Sequence, residues 1–346
     1  MAHSRSGLVQ TVNGLIRPDD VGIALMHEHL HMSGGRLLKT HGYTHQDEQT
    51  PFDHFAAAEC RWNPGAHEAN YEFDDREAIL SDLLDAASLG VRTVVDVTPI
   101  ELERNPESLQ RYSRESGMNV VMGTGYYLEA THRLVIPPGR EEEQTFETIV
   151  NEAASGADGV FPGIIGEIGT SNPPTASELA VLRGAARAAT ATGMSLSVHV
   201  HPWGFNGAIV ATVVADAGLS LDRLILGHMN TAADDAPYLA DLLGRGAVLG
   251  FDLFGFDHSL LGIGRYPPSE DLVAGVIATL VEQGFAEQIV LSQDVGVRTR
   301  LRRYGGWGYG HLMRHVVPLL QAKGVTPVAI DQMLLSNTKR LLTIGN

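Results

Sequence analysis

The stretch Ile23-Ala-Leu-Met-His-Glu-His-Leu30 decides how the chain reads. An apolar run leads straight into His27-Glu28-His29, and such a run fits a strand buried on both faces. Alternate side chains on a strand share a face, so His27 and His29 point one way and Glu28 the other. Two imidazoles on one face at the end of a buried strand can bind one metal ion. Taken alone, the tripeptide fits two core histidines satisfied by hydrogen bonds better than a metal site; the rest of the chain reverses that.

On the N-terminal side, residues 8–16, with Val-Asn-Gly inside them, read as a small β-hairpin, and residues 17–22 as a turn. On the C-terminal side, residues 31–72 form a long irregular stretch of the kind that makes lids and binding loops. It carries His41, His45, His54 and His67 at no fixed spacing, and these four are expected to be solvated. From Phe73 onward strands and helices alternate. Further strands are expected over 91–97, 119–127, 163–171, 195–201, 223–230, 247–255 and 288–294. Helices are expected over 105–116, 141–155, 206–217, 233–244, 269–283, 310–323 and 327–342. Two more are capped by Asp74 (through Ser88, with Ile79, Leu83 and Leu84 apolar) and by Thr175 or Ser177 (to about Thr192).

Eight short strands, each followed by a helix or a long excursion, require parallel pairing and crossovers. They suit a single α/β domain over residues 1–346, a closed (β/α)8 barrel of the TIM type behind a short hairpin. An open doubly wound sheet would carry a Gly-rich phosphate turn after an early strand, and none is present. His27, His29, Glu167, His199, His228 and Asp294 all fall at C-terminal strand ends, which converge on one mouth in a barrel. Four imidazoles and two carboxylates there would be costly to bury unpaired, and a pair of divalent ions such as zinc resolves that cost.

Composition narrows the partners. The 346 residues carry 41 acidic against 25 basic side chains, a net charge of −16, which argues against nucleic acid or an anionic membrane as partner. Cys60 is the one cysteine, so no intrachain disulfide forms. No signal-peptide h-region and no membrane span of about 18 apolar residues is seen. The expected compartment is the cytoplasm and the expected partner a small-molecule substrate.

These residues resemble the phosphotriesterase family of the amidohydrolase superfamily. The likeness lies in Met26-His-Glu-His29, Gly166-Glu-Ile-Gly-Thr170, Val198-His199, Leu226-Gly-His228, Ser292-Gln-Asp294, Tyr304-Gly-Gly-Trp-Gly-Tyr309 and Ser336-Asn-Thr-Lys339, in family order from about residue 8 onward. The resemblance implies a barrel with a binuclear centre, usually zinc. His27, His29 and Asp294 would hold the buried ion and His199 and His228 the exposed one. Glu167 would bridge them in place of the carboxylated lysine of the best-known members, with a hydroxide as second bridge and nucleophile. Asp294 would receive the proton and pass it to the leaving group. Asp252, on the seventh strand, would orient His228 or touch substrate.

The chain also departs from the organophosphate hydrolases. Leu253 stands where they have a relay histidine, and Met229-Asn230-Thr231 follows His228 where they have an aspartate. Tyr127 matches a tyrosine of lactonase-like relatives, which favours a carbonyl substrate. His201, Trp203 and Arg298, the last within the basic run Arg298, Arg300, Arg302 and Arg303, are further candidates for substrate contact. The expected activity is hydrolysis of a carboxylic ester, lactone or amide. A phosphoester hydrolase and a non-catalytic ligand-binding barrel are the alternatives, and a homodimer is expected.

Overall fold

The structure, a computed structural model, describes residues 5–34, 51–259 and 265–345. All eight expected barrel strands form: β3 Ile23–Glu28, β6 Val91–Asp96, β7 Asn119–Thr124, β8 Ile164–Thr170, β9 Leu196–Val200, β10 Leu224–Leu226, β11 Val248–Phe251 and β12 Ile289–Leu291. They make one parallel sheet in the order β12-β11-β10-β9-β8-β7-β6-β3. Most are shorter than their apolar runs, because the polar residues at the C-terminal ends leave the ladder to turn inward. His228 and Asp294 do so with φ of 64° and 53°.

The sheet curls until its two edges meet. There the contact is made past the strand ends: Asp294 N–H donates to His27 C=O (3.0 Å), His29 N–H to Val295 C=O (3.3 Å), and His27 N–H to Ser292 Oγ (2.9 Å). The expected hairpin, β1 Val9–Thr11 with β2 Gly14–Ile16, packs at the N-terminal end of the barrel, where Val12 N–H donates to Val120 C=O. Inside that end, Val9, Ala24, Met26, Val95, Val121, Ile164, Val248 and Val290 form one buried apolar cluster.

Ala24 and Met26 belong to this interior cluster, so strict alternation would send Glu28 to the mouth. A register shift in the β3–β6 pairing between Leu25 and Glu28 resets the phase, and His27 and His29 face the mouth instead. A second shift, between Ile165 and Ile168, surrounds Glu167.

The helices cover the outside of the sheet. The α2 helix, Arg76–Ser88, is capped by Asp75, whose carboxylate accepts from Ala78 N–H; the expected cap was Asp74, one residue earlier. Ile79 and Leu83 are buried, while Leu84 is 48% exposed. For α6, Ala176–Thr192, Thr175 is the cap, in a reciprocal pair with Glu178. The described residues of segment 31–72 hold more regular structure than their sequence suggests. It contributes β4 Met32–Ser33, which pairs with β5 Glu72–Phe73, and helix α1 His54–Trp62. His67 is buried and its Nδ1 accepts from Ala69 N–H, so it is not the solvated residue expected; His54 is exposed, and His41 and His45 lie outside the described residues.

Candidate metal centre

At the C-terminal end of the barrel the six expected ligands meet. Glu167 sits in the middle. Its Oε1 is 3.5 Å from His29 Nε2; its Oε2 is 3.4 Å from His27 Nε2, 3.2 Å from His199 Nδ1 and 3.9 Å from His228 Nε2. Asp294 Oδ1 lies 3.2 Å from His29 Nε2 and 3.7 Å from His27 Nε2. Among the described residues three ligand-sized clusters result: His27–His29–Asp294 and Glu167–His199–His228, which hold the six expected ligands, and His27–His228–Asp252.

The tautomers follow from what stands behind each ring. Asp252 is buried between two imidazoles: Oδ2 accepts from His27 Nδ1 (2.9 Å), and Oδ1 from His228 Nδ1 (3.0 Å) and the His228 backbone N–H (2.8 Å). A carboxylate only accepts, so both Nδ1 atoms carry a proton, and the Nε2 atoms are the ones left to face a cation in the centre. His27 Nε2 is buried with no hydrogen-bond partner, and His228 Nε2 faces His199 Nδ1 at 2.7 Å. On the other ring, His29 Nδ1 is held by Thr98 Oγ1 at 2.9 Å, and the ring packs against Gly296, where a Cβ would come within 2.8 Å of it. Four imidazoles and two carboxylates crowded into one small volume need positive charge among them, which protons or metal ions can supply. The residues present therefore fit a pair of borderline divalent ions.

The electrostatics agree. Burial pushes the Glu167 carboxyl up, but His27 and His199 outweigh it and hold it well below the usual carboxylate range. Burial opposes the charged form of His27, yet Asp252 and Glu167 raise it well above the ordinary imidazole value. The Asp252 carboxyl, raised by burial and lowered more by His228 and His27, stays ionised. These fields draw positive charge to the centre.

The centre opens into a cavity of about 460 Å³. Tyr127, His201, Leu253 and His258 line it together with the ligands other than His27. The Tyr127 hydroxyl is 3.2 Å from His199 Nδ1. Behind it, Glu101 Oε1 accepts from Tyr127 N–H, while Oε2 is buried without a partner, and burial pushes this carboxyl up to about 7.

Three other candidates stand elsewhere. Asp252 lies behind the ligands and not in the cavity wall. Trp203 is set back from the wall, under the Arg265 guanidinium at 4.8 Å. Arg298 turns away to the Glu72 carbonyl and Asp74. The rest of the basic run is also engaged locally: Arg302 with Asp85, Arg303 with Asp75 and Glu77, and buried Arg300 with the Phe254 and Gln293 carbonyls. Sequence reasoning missed Thr98 and His258. Thr98 looks like any strand residue, and His258 sits in a loop with no spacing to mark it.

A profile of the phosphotriesterase family matches residues 7–342. N-acetyltaurine hydrolases of Danio rerio and Bos taurus are each 32% identical, the first over 97% of this chain and 98% of its own length, the second over 98% and 99%. A resiniferatoxin-binding protein of Rhodobacter sphaeroides superposes with a TM-score of 0.90 at 34% identity, covering 99% of this chain and 97% of its own. The phosphotriesterase homology protein of Escherichia coli, solved with phosphate in its active site, gives 0.75 at 26% identity, covering 94% and 99%.

Proposed function

The chain belongs to the phosphotriesterase family, and on that footing we propose that this metal-dependent hydrolase cleaves the amide bond of a small N-acyl amine. The observation that carries the reading is the convergence of four imidazoles and two carboxylates at one cavity; the amide preference rests on the N-acetyltaurine hydrolases. His27, His29 and Asp294 would hold one ion, His199 and His228 the other, and Glu167 would lie between them. Zinc suits this mixed nitrogen and oxygen set. Two bound divalent ions supply the charge that polarises a carbonyl oxygen and yields a hydroxide nucleophile at neutral pH.

The chain's own residues do the rest. Asp252 fixes the rings of His27 and His228. The Tyr127 hydroxyl stands beside His199 where a substrate carbonyl would enter. Asp294 faces the cavity, takes a proton as the nucleophile attacks and returns it to the leaving nitrogen, which departs as an amine only when protonated. Leu253 and His201 would contact the substrate. Arg298 is engaged with Asp74 and is assigned no contact.

We also propose that the chain is one domain, a homodimer and cytoplasmic. No helix among the described residues is long and apolar enough to cross a membrane. Phe55 and Trp62, 70% and 60% exposed, offer a face to a second copy. Metal analysis paired with assays on N-acetyltaurine, lactones and a phosphotriester tests the reading. Two ions per chain and amide turnover are expected. Full turnover by ion-free protein, or turnover of the phosphotriester alone, overturns it.

A further inference from the structure

On the side of the cavity formed by the loops after β8 and β9, two polar side chains stand together. His201 and Asn172 both line the cavity. Their Cβ atoms lie 3.1 and 3.0 Å from the point that a Cβ on Gly204 would occupy, so only glycine lets them approach this closely. Both loops are pinned. Buried Glu178 accepts from the Ser171 N–H and hydroxyl and from Thr175 N–H, and Asn206 Nδ2 donates to the Ser171 carbonyl.

The His201 tautomer is set by its backbone. Nδ1 accepts from Trp203 N–H at 3.2 Å, so the ring proton sits on Nε2, and His201 is a hydrogen-bond donor. Beside it, the Arg265 guanidinium carbon lies 4.8 Å from the centre of the Trp203 ring. Among the described residues no carboxylate comes within ion-pair distance of Arg265. Arg265 is exposed and stands outside the cavity wall, linked to it through Trp203, two residues after His201. The cavity wall has no counterpart of opposite sign: its carboxylates are Glu167 and Asp294, both within the ligand clusters. A cationic substrate tail would find no counter-charge there, whereas an oxyanion would find a ring N–H and a carboxamide in the wall, with the Arg265 guanidinium outside it over Trp203.

We propose that His201, Asn172 and Arg265 form a rim subsite that receives the oxyanion end, sulfonate or carboxylate, of the amine half of the substrate. This rests on the amide-hydrolase reading above and adds the residues that select the tail. Trp203 acts as the platform that holds Arg265 in place.

The test uses the zinc-loaded enzyme, with ion content checked, as wild type, Arg265→Gln, His201→Leu and His201→Gln. Substrates are three acetamides of similar length, of 2-aminoethanesulfonate, β-alanine and propylamine. Wild type should favour at least one oxyanion acetamide over the neutral one by about tenfold or more in kcat/KM, and the better of the two identifies the tail. That ratio should collapse in Arg265→Gln and His201→Leu and be partly kept in His201→Gln, which retains an N–H donor. A wild type indifferent to the tail, or variants that keep the full ratio, overturns the subsite. If no acetamide is cleaved, the amide reading fails by itself. The subsite is then read from inhibition of p-nitrophenyl acetate hydrolysis by ethanesulfonate and propionate. Inhibition about tenfold weaker in Arg265→Gln supports it; inhibition that is absent, or equal in wild type and variant, overturns it.

Discussion

At the N-terminal end of the barrel, Ala24, Met26, Val95, Ile164, Val248 and Val290 fill the interior with side chains that need nothing but contact. At the C-terminal end, His27, His29, His228, Glu167 and Asp252 are just as dry, each at 3% exposure or less. The same eight strands build both layers. The apolar layer is stable as folded, because its atoms lose nothing by leaving water. The polar layer is a set of lone pairs and negative charges that becomes favourable only around cations. It also keeps His228 and Asp294 in left-handed backbone, at a cost on the order of 1 kcal/mol each. One end of the barrel supplies rigidity, and the other uses it to hold an arrangement that would not persist alone.

Stripping the ions breaks this contrast most severely. Chelation should lower amide turnover by about 10³-fold or more and lower the melting temperature, since ions that bind only the folded state stabilise it. Zinc returned in bicarbonate-free buffer should restore activity as fast as zinc with bicarbonate, because Glu167 needs no carboxylation; a bicarbonate requirement would remove Glu167 as the sole bridge. Ile164→Ala sharpens the contrast from the other side. A cavity in the apolar layer should cost about 2–5 kcal/mol in denaturant unfolding while kcat per folded molecule stays at the wild-type value. A matching fall in kcat would mean that the two layers are not separable.

Asp252→Asn comes next. The two rings that Asp252 holds belong to different clusters of the expected ligands, so ion affinity should fall about 10–100-fold at both positions together, as read by competition with a chromogenic chelator. Loss of one ion with the other held at full affinity would rule out a shared support. A last effect is expected at Glu101, whose carboxyl is raised to about 7 by burial. Between the ordinary 4.5 and about 7 the unfolded chain releases this proton and the folded chain keeps it, so wild-type stability drops as pH rises through that window. Glu101→Gln removes that slope. Relative to wild type it should gain roughly 3 kcal/mol by pH 7 and little more above it; a constant difference from pH 4.5 to 8 would contradict the assignment.

The barrel was legible because its signal repeats: eight apolar runs separated by helix-length segments leave few topologies. The convergence of the six candidate ligands was legible because each ends one of those runs. The phase of β3 was not, because alternation predicts that His27 and His29 share a face but cannot reveal the register shift that turns that face inward. The bridging position of Asp252 was half legible: the sequence linked it to His228, whereas its bond to His27 joins residues 225 apart that meet only in the folded barrel. Asp74 and Asp75 are adjacent acids with equal capping propensity, and only the chain's entry angle selects Asp75. His67 read as solvated because its burial depends on the fold of a loop whose sequence has no periodicity.

The barrel closes through residues of the site itself. His27 accepts from Asp294 N–H and donates to Ser292 Oγ, a partner 265 residues away. On the ribosome, at roughly 5–20 residues per second, tens of seconds separate the emergence of one side of this seam from that of the other. Throughout that interval the nascent chain displays His27 and His29 without Asp294, two neutral ligands where three with a charge are needed. In the proposed centre, strong capture of an ion by the buried cluster would wait for the last strand, which would make cation loading and closure of the barrel one late event in the life of each molecule.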